Sequence, residues 1–132
     1  MTGMTGLRDP IDIARYVWVA ALVALSLAPV AWKDRLYTAG DLHDFGHVFI
    51  FAITTVIIAV TAVTGGRAVL MAGAIWCLGA TLELAQTLFY GNSFEWSDLR
   101  TNGIGTGIGL LCVQIAKIVR RQQRNEYRNE RN

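Results

Sequence analysis

An all-α membrane protein, a bundle of four transmembrane helices with both termini in the cytoplasm, is the fold that this sequence predicts, and three observations predict it. The 132 residues are 53% hydrophobic and only 17% charged, too apolar for an ordinary soluble domain. The apolar residues gather in four runs, each near the roughly 20 residues that a bilayer core demands. The basic residues are also lopsided. Nine of the twelve Lys and Arg (Arg8, Arg15, Arg67 and six from Lys117 onward) fall on one side of such a bundle, while Lys33, Arg35 and Arg100 fall on the other. The positive-inside rule therefore places both ends in the cytoplasm, and the chain reads as a multi-pass protein of a cytoplasmic (inner) membrane.

The first run extends from Tyr16 to Trp32, after a cytoplasmic segment 1–15. The mixed charges Arg8, Asp9, Asp12 and Arg15 precede it, and Pro29 interrupts the small residues from Ala28 to Ala31, so it reads as a retained helix rather than a cleaved signal. The second run, Phe45 to Val63, and the third, Ala68 to Phe89, flank Gly65-Gly66, a pair that predicts a tight turn and an antiparallel hairpin. The fourth, Leu99 to Val119, completes a transmembrane domain 16–121 and leads into a basic tail, 122–132, that extends the helix before fraying. Unpaired backbone is too costly in lipid to remain exposed, and the runs lack the alternation of strands, so helices follow. Tyr16, Trp18, Trp32, Tyr37, Tyr90 and Trp96, near the helix ends, read as headgroup anchors. Cys77 and Cys112, without CxxC spacing, read as small core residues. The tail follows an apolar run directly, so its basic residues point to anionic lipid rather than nucleic acid. No cofactor-binding or phosphate-cradling motif is present.

Chemistry concentrates at the predicted outer ends. Helix two opens with Asp41-Leu42-His43-Asp44-Phe45-Gly46-His47, where Asp41 can cap the helix and Asp44 suits the positive end of its dipole. His43 and His47 are four apart, hence on one face, a spacing at which two imidazoles can share a metal. On helix three Glu83 and Gln86 are one turn apart, with Glu83 about 10 Å inside the outer end. A carboxylate at the centre of a span costs roughly 2.5–3.5 kcal/mol, so a partner or a wet cavity should compensate it. On helix four Asp98, Asn102, Gly105 and Gly109 share one stripe, polar above and smooth below. Gly105-xxx-Gly109 admits a close helix, and Ala72, Gly73, Gly79 and Ala80 of helix three offer a matching small surface. That pairing would bring Glu83 and Gln86 beside Asp98 and Asn102.

From Gly40 onward this pattern resembles the VanZ-like family of small membrane proteins, in which an Asp-Lys-x-x-His helix start is coupled to a Glu-x-x-Gln helix and to an Asp-x-x-x-Asn-x-x-Gly-x-x-x-Gly stretch preceded by Arg. His47, Glu83, Gln86, Asp98, Asn102, Gly105 and Gly109 match it. His43-Asp44 stands where the family has Asp-Lys, and Asn92 stands near the family's Arg, so two cations are missing from the outer site. The resemblance implies an envelope-associated membrane protein, with glycopeptide resistance, including low-level teicoplanin resistance, in one branch.

Three functions compete. The leading one is binding of an envelope component, a lipid-linked precursor or a glycopeptide, in an outward-facing polar cleft through His47, Glu83, Gln86, Asp98 and Asn102, with His43, Asp44, Asn92 and Arg100 as additional contacts. Carboxylates and amides suit hydroxyl-rich or amide-rich ligands. The second is a structural or homo-oligomerising subunit whose polar cluster only locks helices. The third is an intramembrane hydrolase or transferase in which His43, His47 and Glu83, with Asp98 as a further candidate, hold a divalent metal, the one cofactor these residues admit, or divide acid and base roles.

Overall fold

The computed structural model describes residues 10–27, 41–91 and 93–131, all in helices and the turns that join them. Four helices follow one another: α1 (Pro10–Ser26), α2 (Asp41–Ala59), α3 (Gly65–Tyr90) and α4 (Trp96–Asn129). α3 and α4 are long and apolar enough to cross a membrane. α1 and α2, with 17 and 19 residues, measure about 26 and 28 Å against a hydrocarbon core of about 30 Å.

α1 begins six residues before the predicted run, and the reason is local. Pro10 occupies the first helical position, where its missing N–H would have no partner anyway, and Asp12 lies in the first turn. Arg15 Nη1 donates to Asp12 Oδ1 at 2.8 Å, and its Nε reaches the Ile57 carbonyl at the C-terminal end of α2 at 3.1 Å. Trp18 is no headgroup anchor: its indole N–H donates to Thr54 Oγ1 at 2.9 Å, joining α1 to α2. Tyr16, Tyr90 and Trp96 are exposed, as anchors should be, while Trp32 and Tyr37 fall outside the described residues.

The Gly65-Gly66 pair does not make the turn. Both glycines are already helical, because Thr64 caps α3 by accepting from the Arg67 N–H at 3.2 Å, and the connection is made by residues 60–64. α3 ends at Gly91, whose φ of +69° is the left-handed conformation that suits glycine; its N–H returns to the Thr87 carbonyl at 3.1 Å. α4 begins at Trp96, with the Glu95 carbonyl accepting from the N–H groups of Asp98 and Leu99, and it continues through Arg120, Arg121, Arg124 and Arg128 as one 34-residue helix.

Contacts fix the arrangement. α2 and α4 are parallel, since Val48 meets Gly105 and Ala52 meets Gly109. α3 runs antiparallel to both, its N-terminal Gly65 near Gln114 and its Glu83 near Glu95. Tyr90 Oη donates to the Leu27 carbonyl at 2.6 Å, which aligns α1 with α3. The smooth part of α4 therefore receives α2 rather than α3: a Cβ on Gly105 would strike the Val48 carbonyl, and one on Gly109 would strike the Ala52 carbonyl and lie 2.7 Å from Thr55 Cβ. Of the small residues expected to form the α3 surface toward α4, Gly79 meets Phe51 of α2 as well as Asn102, and Gly73 has open space beside it. α3 instead fastens to α4 through Trp76, whose indole N–H donates to the Leu99 carbonyl at 3.0 Å and packs on Gly103.

The core is built of small side chains. Ala59, Ala62, Ala68 and Val113 form its buried cluster, with Val56, Val60, Met71 and Leu110 against it. Thr54 and Thr55 are buried because their hydroxyls return to the Ile50 and Phe51 carbonyls at 2.7 and 2.8 Å. Cys77 and Cys112 are not core residues; both are exposed on apolar faces.

Replacing Gly105 by Ala is expected to destabilise the fold by about 1–3 kcal/mol, because the added methyl meets backbone that cannot move independently. Gly107→Ala, with open space beside it, should be neutral or stabilise by up to about 1 kcal/mol through helix propensity. Denaturant unfolding followed by circular dichroism in one detergent compares the two.

Candidate functional site

The parallel pairing of α2 and α4 places the first two turns of one beside the first two turns of the other. His43 and His47, a helical turn apart on α2, are both half-buried, with ring centroids 4.5 Å apart and planes at 66°. Across from them on α4 is Asp98, with 8% of its side chain exposed. Its Oδ1 lies 3.3 Å from His43 Nε2 and its Oδ2 lies 3.5 Å from His47 Nε2.

One turn further along α4, the buried Asn102 accepts at Oδ1 from His47 Nδ1–H at 2.8 Å. That hydrogen bond puts the proton of a neutral His47 on Nδ1 and leaves the Nε2 lone pair facing Asp98. Gly79 of α3 makes room for this amide, since a Cβ there would lie 2.9 Å from Asn102 Nδ2 and 2.8 Å from the Phe51 ring. The stripe anticipated on α4 is real as geometry: Asp98, Asn102, Gly105 and Gly109 are all buried, joined by Thr106 and Val113. Among the described residues, Asp98 Oδ1 and Thr106 Oγ1 are buried atoms that find no hydrogen-bond partner.

Glu83 is buried at the same end, but its carboxylate has a different employment. Oε1 accepts from the Glu95 N–H at 2.8 Å, so the acid holds the α3–α4 connection against the side of α3. Its backbone carbonyl also receives the Thr87 hydroxyl at 3.1 Å. Glu83 lies within electrostatic reach of Asp98, Glu95 and His47, yet the three-residue group whose ligand atoms converge within 4.8 Å is His43, His47 and Asp98. Among the described residues, Asp98, a candidate beside Glu83 from the sequence, is the acid whose oxygens reach both histidines. The cause is the α4 glycine face, which draws α2 rather than α3 against Asp98.

Of the remaining candidates, Gln86 is half-buried one turn along α3 from Glu83, Asp44 and Arg100 are exposed, and Asn92 lies outside the described residues, as does the side chain of Asp41. Residues that sequence reasoning missed are Thr106 and Trp76. Thr106 falls one turn after Asn102, so helical spacing from the named residues would have reached it.

No family model, curated protein or solved structure matches the chain.

The role of Glu83 as a loop anchor has a direct test. Glu83→Gln keeps an acceptor oxygen for the Glu95 N–H and should leave stability nearly unchanged, whereas Glu83→Leu strands that N–H and should cost roughly 1–3 kcal/mol. Unfolding midpoints, with limited proteolysis at the α3–α4 connection, distinguish the two variants.

Proposed function

We propose that this chain is a VanZ-like, four-helix integral membrane protein of the bacterial cytoplasmic membrane, with both termini cytoplasmic, and that its polar end binds an envelope component at the outer leaflet. The observation that carries the reading is the convergence of chemistry from three helices at one end: His43 and His47 from α2, Glu83 and Gln86 from α3, Asp98 and Asn102 from α4. Below that end the core between helices is mostly small and apolar, with Ala59, Ala62, Ala68 and Val113 at its centre and Gly105 and Gly109 against α2.

Lipid as the surrounding solvent is supported by what the outside carries. Leu70, Leu84, Leu88, Ile104, Leu111 and Ile115 are all exposed, and contiguous apolar surface of that kind marks a membrane or a partner. Only 33% of the apolar window of α3 and 28% of that of α4 is buried, whereas a core helix of a soluble protein is mostly buried. The opposite end supports the orientation. There Lys117, Arg120, Arg121 and Arg124 line a groove with Val60 and Val63, a composition suited to anionic headgroups of the cytoplasmic leaflet above their first methylenes.

The ligand chemistry follows from the charges. Asp98 and Glu83 are buried acids, and Arg100, the basic residue two positions from Asp98, is exposed. Carboxylates call for donors, so the hydroxyl, amide and ammonium groups of a peptide or sugar headgroup fit better than a phosphate. A structural reading has its own observation: the Glu83–Glu95 and His47–Asn102 hydrogen bonds each join two elements of the bundle.

Protein in lipid nanodiscs, titrated with a lipid-linked peptidoglycan precursor and with teicoplanin, tests the binding reading. Asp98→Asn should weaken binding of one of them at least about tenfold, the equivalent of 1.4 kcal/mol. Absence of binding to either, or equal binding by the variant, would favour the structural reading.

A further inference from the structure

The two histidines and the aspartate face one another across the contact between α2 and α4. His43 Nε2 and His47 Nε2 both face the Asp98 carboxylate, at 3.3 and 3.5 Å, beyond the usual range of an N–H···O bond. With Nδ1 engaged by Asn102, His47 presents Nε2 to the carboxylate, an arrangement that a cation between the two stabilises. Asp98 adds to the demand: its side chain is more than nine-tenths buried, and among the described residues its Oδ1 finds no hydrogen-bond partner. A carboxylate removed from water in this way is costly unless positive charge compensates it.

We propose that His43, His47 and Asp98 form a binding site for a divalent first-row metal ion of the zinc class. Metal–ligand bonds of about 2.0–2.1 Å at tetrahedral angles put neighbouring ligand atoms about 3.4 Å apart; His43 Nε2 lies 3.3 Å from Asp98 Oδ1 and His47 Nε2 lies 3.5 Å from Oδ2, so a small turn of the carboxylate brings one oxygen to both. All three ligand atoms lie within 4.8 Å of one another. Asn102 supplies the outer support typical of such centres, an oxygen that accepts the second ring N–H of a ligating histidine and fixes its orientation.

The donor set also selects the ion. Two imidazoles and one carboxylate suit zinc, cobalt or iron(II), whereas calcium and magnesium take oxygen ligands in larger number. Three protein ligands leave a fourth position for water or for a donor atom of a bound headgroup, on the half-exposed side of the histidines. The ion's binding requires no envelope ligand, so this site stands or falls separately from the ligand proposed above.

The experiment uses the full chain in detergent, without a polyhistidine tag, stripped of metal by a chelator and then titrated with Zn²⁺ against a chromophoric competitor. One equivalent should bind to the wild type and raise its unfolding temperature. His43→Gln and Asp98→Asn should each weaken this binding at least about a hundredfold, and Asn102→Leu should weaken it about 10–100-fold through loss of the outer support. Glu126→Gln, far along the exposed tail of α4, should bind as the wild type does. His43 is half-exposed and tolerates the change, so that variant decides the matter if Asp98→Asn fails to fold. Absence of a stoichiometric Zn²⁺ ion in the wild type would overturn the proposal. Undiminished binding by a folded His43→Gln variant would overturn it equally, by placing the ion elsewhere.

Discussion

The close approach of α2 to the glycine face of α4 is the constraint on which the rest of the structure depends. Gly105 and Gly109 lack the atoms that would hold α2 away, so the carbonyls of Val48 and Ala52 come against the α4 backbone. In a membrane the apolar effect does not drive helices together, because lipid tails solvate leucine as well as a neighbouring helix does; close packing of small residues and interhelical hydrogen bonds must do so. The register set by these two glycines then carries upward. Helical periodicity puts His47 opposite Asn102 and His43 opposite Asp98, at the polar end of the same contact.

The elements were largely legible in the sequence, and the site was legible in part. Four apolar runs gave four helices, and the stripe of Asp98, Asn102, Gly105 and Gly109 emerged buried because a period of 3.6 residues leaves little freedom once the helix is granted. The partner of that stripe was not legible. A Gly-xxx-Gly face fits any smooth neighbour, and α3, with Ala72, Gly73, Gly79 and Ala80, advertises small residues more plainly than α2 does with Gly46, Val48 and Ala52. Choosing α3 set Glu83 and Gln86 beside Asp98 and Asn102. The structure sets His43 and His47 beside Asp98 and Asn102 and ties Glu83 to the Glu95 N–H.

Other differences have the same kind of cause. A glycine pair reads as a turn, yet one hydroxyl at Thr64 satisfies the start of α3 and allows both glycines into the helix. An apolar setting reads as interior for Cys77 and Cys112, yet on a helix apolar all round it carries no such information, and both are exposed. Trp18 reads as an interfacial anchor by its place near the start of a run. Because α1 begins at Pro10, Trp18 sits well inside the helix, where its N–H finds Thr54.

The central claim is that α2 and α4 are parallel neighbours in one register, with His47 and Asn102 in contact. A double-mutant cycle at these two positions measures it most directly, with His47→Leu, Asn102→Leu and the double variant unfolded under one set of conditions. The account predicts a coupling energy between about 0.5 and 3 kcal/mol, as for residues that share a hydrogen bond. Additive losses, with no coupling beyond experimental scatter, would separate the two residues and contradict the arrangement on which the site is built.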